Sequence, residues 1–151
     1  MGCTIFAAFI MLQKEQKLRL TSFIPAFAWL VICTILLALP GKDLPSLPFL
    51  NIPYLDKFVH LAMFLVLSAL LCYPLLQLNS ATRGKWFIYL TLFALAHGVA
   101  MEFVQKHLVR NRSFDIVDIV FDAIGCIAGV LIVWSIGKKI GPDRHRGRNQ
   151  N

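Results

Sequence analysis

Long apolar stretches alternate with short polar ones along the chain. Four of them are long enough, at about 20 residues, to carry a helix across bilayer hydrocarbon: residues 21–39, 58–78, 86–105 and 116–136. The first has no ionisable side chain, the second carries His60, the third His97 and Glu102, and the fourth Asp118 and Asp122. Pro25 and Pro74 lie near span ends, where a missing N–H costs little. Trp29, Trp86, Trp134, Tyr73 and Tyr89 also fall mostly near ends, as interfacial aromatics do. The pattern predicts an all-α integral membrane protein with four transmembrane helices.

Composition narrows the class further. Of 151 residues, 58% are hydrophobic and 15% charged, with a mean hydropathy of +0.68; an ordinary soluble domain is about 45–50% apolar and about one quarter charged. A soluble domain of this size could not hide so much apolar surface. Intrinsic disorder is excluded too, and so is a disulfide scaffold: Cys3, Cys33, Cys72 and Cys126 show no paired spacing, and three of them sit in apolar runs as small hydrophobes.

The chain divides into an N-terminal cytoplasmic or interfacial segment (1–20), a four-helix membrane domain (21–136) and a basic tail (137–151). Residues 1–12 are apolar but too short to span, Phe6 stands where a myristoylation motif wants Ser or Thr, and the segment lacks a basic n-region and a small-residue cleavage site before the first span. They read as an interfacial stub, or as an over-extended start with Met11 as initiator. Four spans put both termini on one side, together with ten Lys and Arg; Lys42, Lys57, Lys106, Arg110 and Arg112 make five on the other. The excess places both termini in the cytoplasm. The tail then reads as a contact with anionic lipid head groups and not with nucleic acid. The outer connector, residues 40–57, holds four of the seven prolines among apolar residues; it is expected to lie on the membrane surface or to cover what opens there.

Charges inside a bilayer cost roughly 2.5–3.5 kcal/mol each on insertion scales, so each asks for a reason. Five of the eight acids, Asp56, Glu102, Asp115, Asp118 and Asp122, fall at or just below the outer surface in this topology. Asp56 and His60 are i and i+4, Glu102 and Gln105 i and i+3, and Asp115, Asp118 and Asp122 form one stripe. Gly125 and Gly129 continue near that stripe as a Gly-x-x-x-Gly pair, which lets helices approach closely. The fourth helix is therefore expected to turn its acids inward, toward His60 and Glu102, with Lys57, Lys106, Arg110 and Arg112 supplying opposite charge at the rim. Plainer roles exist for each residue. Asp56 and Lys57 serve as helix-start charges, His60 as an interfacial hydrogen-bonding residue, and Glu102 with Arg112 as a pair clipping the third span to the fourth. His97 reads as a packing or hydrogen-bonding residue outside the site, and His107 and His145 as surface residues.

The series Asp56-Lys57-x-x-His60, Glu102-x-x-Gln105, Arg112, Asp118, Asp122 and Gly125 resembles the VanZ-like family of small bacterial membrane proteins, over about residues 56–133. The family usually has Asn where this chain has Asp122. The resemblance implies a four-helix protein of the bacterial cytoplasmic membrane whose polar residues act together. The family's namesake is associated with low-level resistance to the glycopeptide teicoplanin, and no biochemical activity is established for the family.

Three functions fit these residues. The first is binding of an amphiphile at the outer leaflet, a lipid-linked envelope component or a glycopeptide. Asp56, Lys57, His60, Glu102, Gln105, Arg112, Asp118 and Asp122 would line that site, with Arg112, Lys57 and Lys106 toward an anionic head group. The second is a membrane-embedded acid/base enzyme with His60, Glu102 and Asp118 as catalytic candidates; the third is a small transporter. A purely structural helix lock is the plainest alternative. Asp56, His60, Glu102 and Asp118 are also possible ligands for a divalent cation, but nothing in the spacing fixes four on one centre, so no cofactor or metal is predicted.

Overall fold

The computed structural model describes residues 18–39, 54–109 and 112–140. The N-terminal stub, most of the proline-rich connector, Arg110 and the basic tail beyond Ile140 lie outside them.

A 3-10 turn, Leu20–Phe23, leads into α1, Ile24–Ala38. Pro25 sits in the first turn of α1, where its missing donor has no helical partner to lose. Helix α2, Leu55–Cys72, is entered through Tyr54 in the left-handed region (φ 65°) and leaves through a second 3-10 turn, Tyr73–Gln77, which Pro74 opens. Helix α3 is Ser80–Leu108 and α4 is Ile116–Ile140. All four helical segments are long and apolar enough to cross a membrane.

Two boundaries differ from the apolar pattern. Helix α3 begins at Ser80 and not near 86, because the Asn79 side chain accepts the Thr82 N–H at 2.9 Å and caps the helix there. Arg83 and Lys85 thus lie on the first turns of α3 and not in a loop. With 29 residues, α3 rises about 43 Å, longer than a hydrocarbon core of about 30 Å. Helix α2 likewise begins before the apolar run, so Asp56 and Lys57 belong to its first turn.

Helix α2 is central and packs on the other three, most closely on α4. The close approach depends on two glycines. A Cβ at Gly125 would collide with the Leu61 carbonyl oxygen, and one at Gly129 with the Leu65 carbonyl oxygen and Ser68 Oγ. At this seam Ser68 Oγ donates across to the Cys126 carbonyl at 3.0 Å. Three further bonds tie α1 in: Trp29 Nε1 to the Met63 carbonyl of α2 (3.0 Å), Gln105 Nε2 of α3 to the Leu37 carbonyl (3.0 Å), and Thr34 Oγ1 with His97 Nε2 (2.9 Å). Trp29 is therefore a mid-helix cross-link and not an interfacial anchor. Cys33, Cys72 and Cys126 are buried free thiols, in keeping with their reading as small hydrophobes.

The surface is the inverse of a soluble protein's. Phe27, Ile88, Leu92, Val120, Ile127 and Leu131 are exposed, while Lys57, His60, Glu102, Gln105, Asp118 and Asp122 are buried. An apolar exterior with the polar side chains turned inward suits a lipid solvent. At one face, Lys138 caps the Trp134 ring at 3.5 Å.

The glycine seam makes a direct prediction. Gly129→Val should destabilise the bundle by about 1–3 kcal/mol or more, the range for overpacking, read as a lower thermal midpoint in detergent micelles. Gly84→Ala is the control: nothing lies within 4 Å of a Cβ there, so the helix should gain up to about 1 kcal/mol.

Candidate functional site

The buried polar groups gather where α2 and α4 begin and α3 ends. Lys57, in the first turn of α2, points inward; its Nζ bonds Asp118 Oδ1 at 2.6 Å, Asp115 Oδ2 at 2.7 Å and Asp56 Oδ2 at 3.2 Å. An ammonium has three donors, and all three meet carboxylates. Lys57 is thus the hub of an acidic cluster and is not a cation presented at the rim. Lys106 is exposed and Arg112 half-buried. Among the described residues, no ion pair forms to Arg112.

One turn below Lys57, His60 Nδ1 and Asp122 Oδ1 stand 3.0 Å apart, both side chains almost fully buried. Room for Asp122 comes from Gly98 on α3, where a Cβ would lie 2.5 Å from Asp122 Oδ2 and 3.0 Å from the Phe64 ring. The His60–Asp122 bond needs only an oxygen acceptor, so the Asn usual in VanZ-like proteins would also serve; the aspartate adds charge.

Glu102 Oε2 accepts the Asp115 backbone N–H at 2.9 Å. Glu102 therefore does clip α3 to the approach of α4, but through a main-chain donor and not through Arg112. Asp115 works in three directions: besides that N–H, its Oδ2 takes Lys57 and its Oδ1 accepts the Val117 N–H at 2.8 Å, which caps α4. The Lys57 ammonium, with the Val117 N–H, holds the Asp115 carboxyl below the usual carboxylate range.

The expected residues do not all meet. His60, Glu102, Asp118 and Asp122 converge with Lys57, and Asp56 joins at the edge through Lys57. Gln105, one turn from Glu102, spends its donor on Leu37 of α1, a carbonyl left over at the helix end. His97, set outside the site, lies against Phe64, with ring centroids 6.0 Å apart, and bonds Thr34. Asp115 and Gly98 were not among the expected site residues. An Asp just before an apolar run is a helix-start signal, and an isolated Gly inside a helical pattern marks a close approach; both were readable.

One feature of the cluster stands out chemically. Among the described residues, His60 Nε2, Glu102 Oε1 and Asp122 Oδ2 are buried and have no hydrogen-bond partner. His60, Glu102 and Asp118 each place a ligand-capable atom within 4.8 Å of the others.

Comparison with protein-family models, curated proteins and solved structures finds no match to this chain. The likeness to VanZ-like proteins accordingly stands on the motif series alone.

Asp115 yields the second prediction. Asp115→Ala removes the cap, worth about 0.5–2 kcal/mol, and leaves Lys57 short of a partner; Asp115→Asn keeps an oxygen for Val117 and should cost less. Because the folded carboxyl titrates below its unfolded value of about 3.9, its stabilisation is complete above that pH and lost as the pH falls through the folded value. Thermal midpoints in detergent between pH 3 and 6 should drop at the acid end for wild type, and less steeply for Asp115→Asn.

Proposed function

We propose that the chain is a VanZ-like multi-pass protein of the bacterial inner membrane that binds the polar head of an amphiphile at the outer leaflet. The amphiphile is a lipid-linked envelope component or a glycopeptide-type molecule. Both termini face the cytoplasm in this reading, following the ten-to-five excess of Lys and Arg on their side.

The observation that carries the reading is the polar end of an otherwise apolar bundle, with acceptor atoms that the described residues leave unpartnered. At membrane depth such atoms cost several kcal/mol apiece when nothing meets them. Asp56, with its side chain 57% exposed, and Asp115 lie at the mouth, where hydroxyl or amine donors of a head group would reach them. Arg112, half-buried beside them in sequence, offers a planar fork suited to phosphate or carboxylate. With Lys57 enclosed by three aspartates, the anionic part of the ligand falls to Arg112 and Lys106.

The same unpartnered Glu102 and His60 atoms also favour a second reading, acid/base catalysis on such a lipid. Asp118→Asn separates the two. A general acid or base is lost with the carboxyl, whereas a hydrogen-bonding position survives.

The test is tolerance in a glycopeptide-sensitive Gram-positive host expressing wild type, Arg112→Ala or Glu102→Gln, with membrane levels matched by blotting. Wild type should raise tolerance several-fold, and both variants should lose the gain at equal abundance. Native mass spectrometry of the purified chains should show retained lipid on wild type and less on Arg112→Ala. No protection by wild type, together with identical lipid retention in the variant, would refute amphiphile binding.

A further inference from the structure

We propose that His60, Glu102 and Asp118 together bind one divalent first-row transition-metal ion between α2, α3 and α4. The site goes beyond amphiphile binding and does not depend on it.

The argument begins with acceptors that face one another. An ionised Asp122 can only accept, so the 3.0 Å contact puts the proton of His60 on Nδ1. In the neutral imidazole, Nε2 then presents a lone pair. It is buried and has no partner among the described residues, and the same is true of Glu102 Oε1. Asp118 commits Oδ1 to Lys57, which leaves its second oxygen. Three acceptor-bearing side chains thus converge within 4.8 Å, at exposures of 3% (His60), 0% (Glu102) and 5% (Asp118). Side chains this fully enclosed suit a single ion.

The surroundings match those of a metal site. A ligating histidine ordinarily donates its other ring N–H to a carboxylate, which fixes the tautomer and raises basicity; Asp122 does this for His60. Charge also closes. Lys57 answers the aspartates at the mouth, and the Glu102 and Asp118 carboxylates would be balanced by a divalent ion. Ligands at about 2.1 Å from a tetrahedral ion lie about 3.4 Å apart, so side chains whose atoms lie within 4.8 Å of one another would close on it by rotamer shifts of about 1 Å. An imidazole beside two carboxylates selects Mn²⁺, Fe²⁺, Co²⁺ or Zn²⁺ over Ca²⁺ and Mg²⁺, which prefer oxygen alone. Three protein ligands would leave at least one coordination position for a water.

The full chain, purified in detergent without a polyhistidine tag and stripped with chelator, is titrated with Zn²⁺ alone by calorimetry. The expected result is one ion per chain, a thermal midpoint that rises with Zn²⁺ and falls with chelator, and a visible absorption band when Co²⁺ is used instead. His60→Asn and Glu102→Gln should each lose at least tenfold in affinity, and Asp122→Ala about 10–100-fold, the usual effect of removing an outer-shell partner. X-ray absorption at the zinc edge of the wild type needs no variant and should show one imidazole among the ligands. Failure of wild type to retain Zn²⁺, Mn²⁺ or Co²⁺, absence of imidazole from the bound ion, or undiminished binding in His60→Asn and Glu102→Gln would overturn the site. Preferential binding of Ca²⁺ would overturn the class of ion. Failure here is distinct from failure of amphiphile binding. Lipid retained by metal-free wild type leaves that reading standing, and Zn²⁺ bound by protein that retains no lipid leaves the metal site standing.

Discussion

A single ammonium organises the polar end of this bundle. Lys57 leaves the first turn of α2 and enters a cage of three aspartates, two of them at the start of α4. A buried ammonium is tolerable only when its donors are all met. The pairing therefore fixes how far α4 can slide or rotate against α2. Asp115 cannot cap α4, take Lys57 and present its N–H to Glu102 unless all three helices are in register. Two turns further along, the glycine seam brings the same pair close enough for Ser68 to reach the Cys126 carbonyl. The polar hub sets the register, and the glycines let the backbones approach at that register.

From this geometry the deeper pair follows. With α2 and α4 held at their first turns, His60 and Asp122 are carried one turn down to face each other, and Gly98 supplies the space on α3. Glu102 arrives from the opposite chain direction near the end of α3. It has one main-chain donor to satisfy it and, like Asp122, keeps one buried oxygen without a partner among the described residues.

Much of this was legible in the sequence, for definable reasons. The four apolar runs gave the spans. The i, i+3, i+7 spacing of Asp115, Asp118 and Asp122 defined a face, and Gly125 with Gly129 marked a close approach near it. Spacing within one helix cannot say which group on a neighbour that face meets. Lys57 therefore reads as a rim cation when it is the buried hub, and the plainer role open to Glu102, a clip to Arg112, is filled by the Asp115 N–H instead. Gln105 shows the same gap: it shares a face with Glu102, yet its amide ends on Leu37 of α1. Trp29 looked interfacial by residue type and proves to be a cross-link to Met63. Each miss concerns a partner on another helix, which no single-helix pattern encodes.

The other contacts in the molecule bear on whether the cluster is only a lock. Helices are joined elsewhere by neutral groups: Ser68 to Cys126, Trp29 to Met63, Gln105 to Leu37, Thr34 to His97. Neutral hydrogen bonds across transmembrane helices hold with about 1 kcal/mol each and carry no ionic desolvation cost. A chain that locks α1 this way, and that already ties α4 to α2 through Ser68, does not need five acids to hold α4. Yet it gathers Asp56, Glu102, Asp115, Asp118 and Asp122 around one lysine and one histidine at a single end. Replacing buried ion pairs with apolar residues of similar volume is often neutral or stabilising, so helix association alone does not account for the arrangement. What these charged residues offer, and the neutral cross-links do not, is an excess of acceptor atoms directed at a common point. An excess of that kind is the chemistry of holding a cation or a donor-rich ligand.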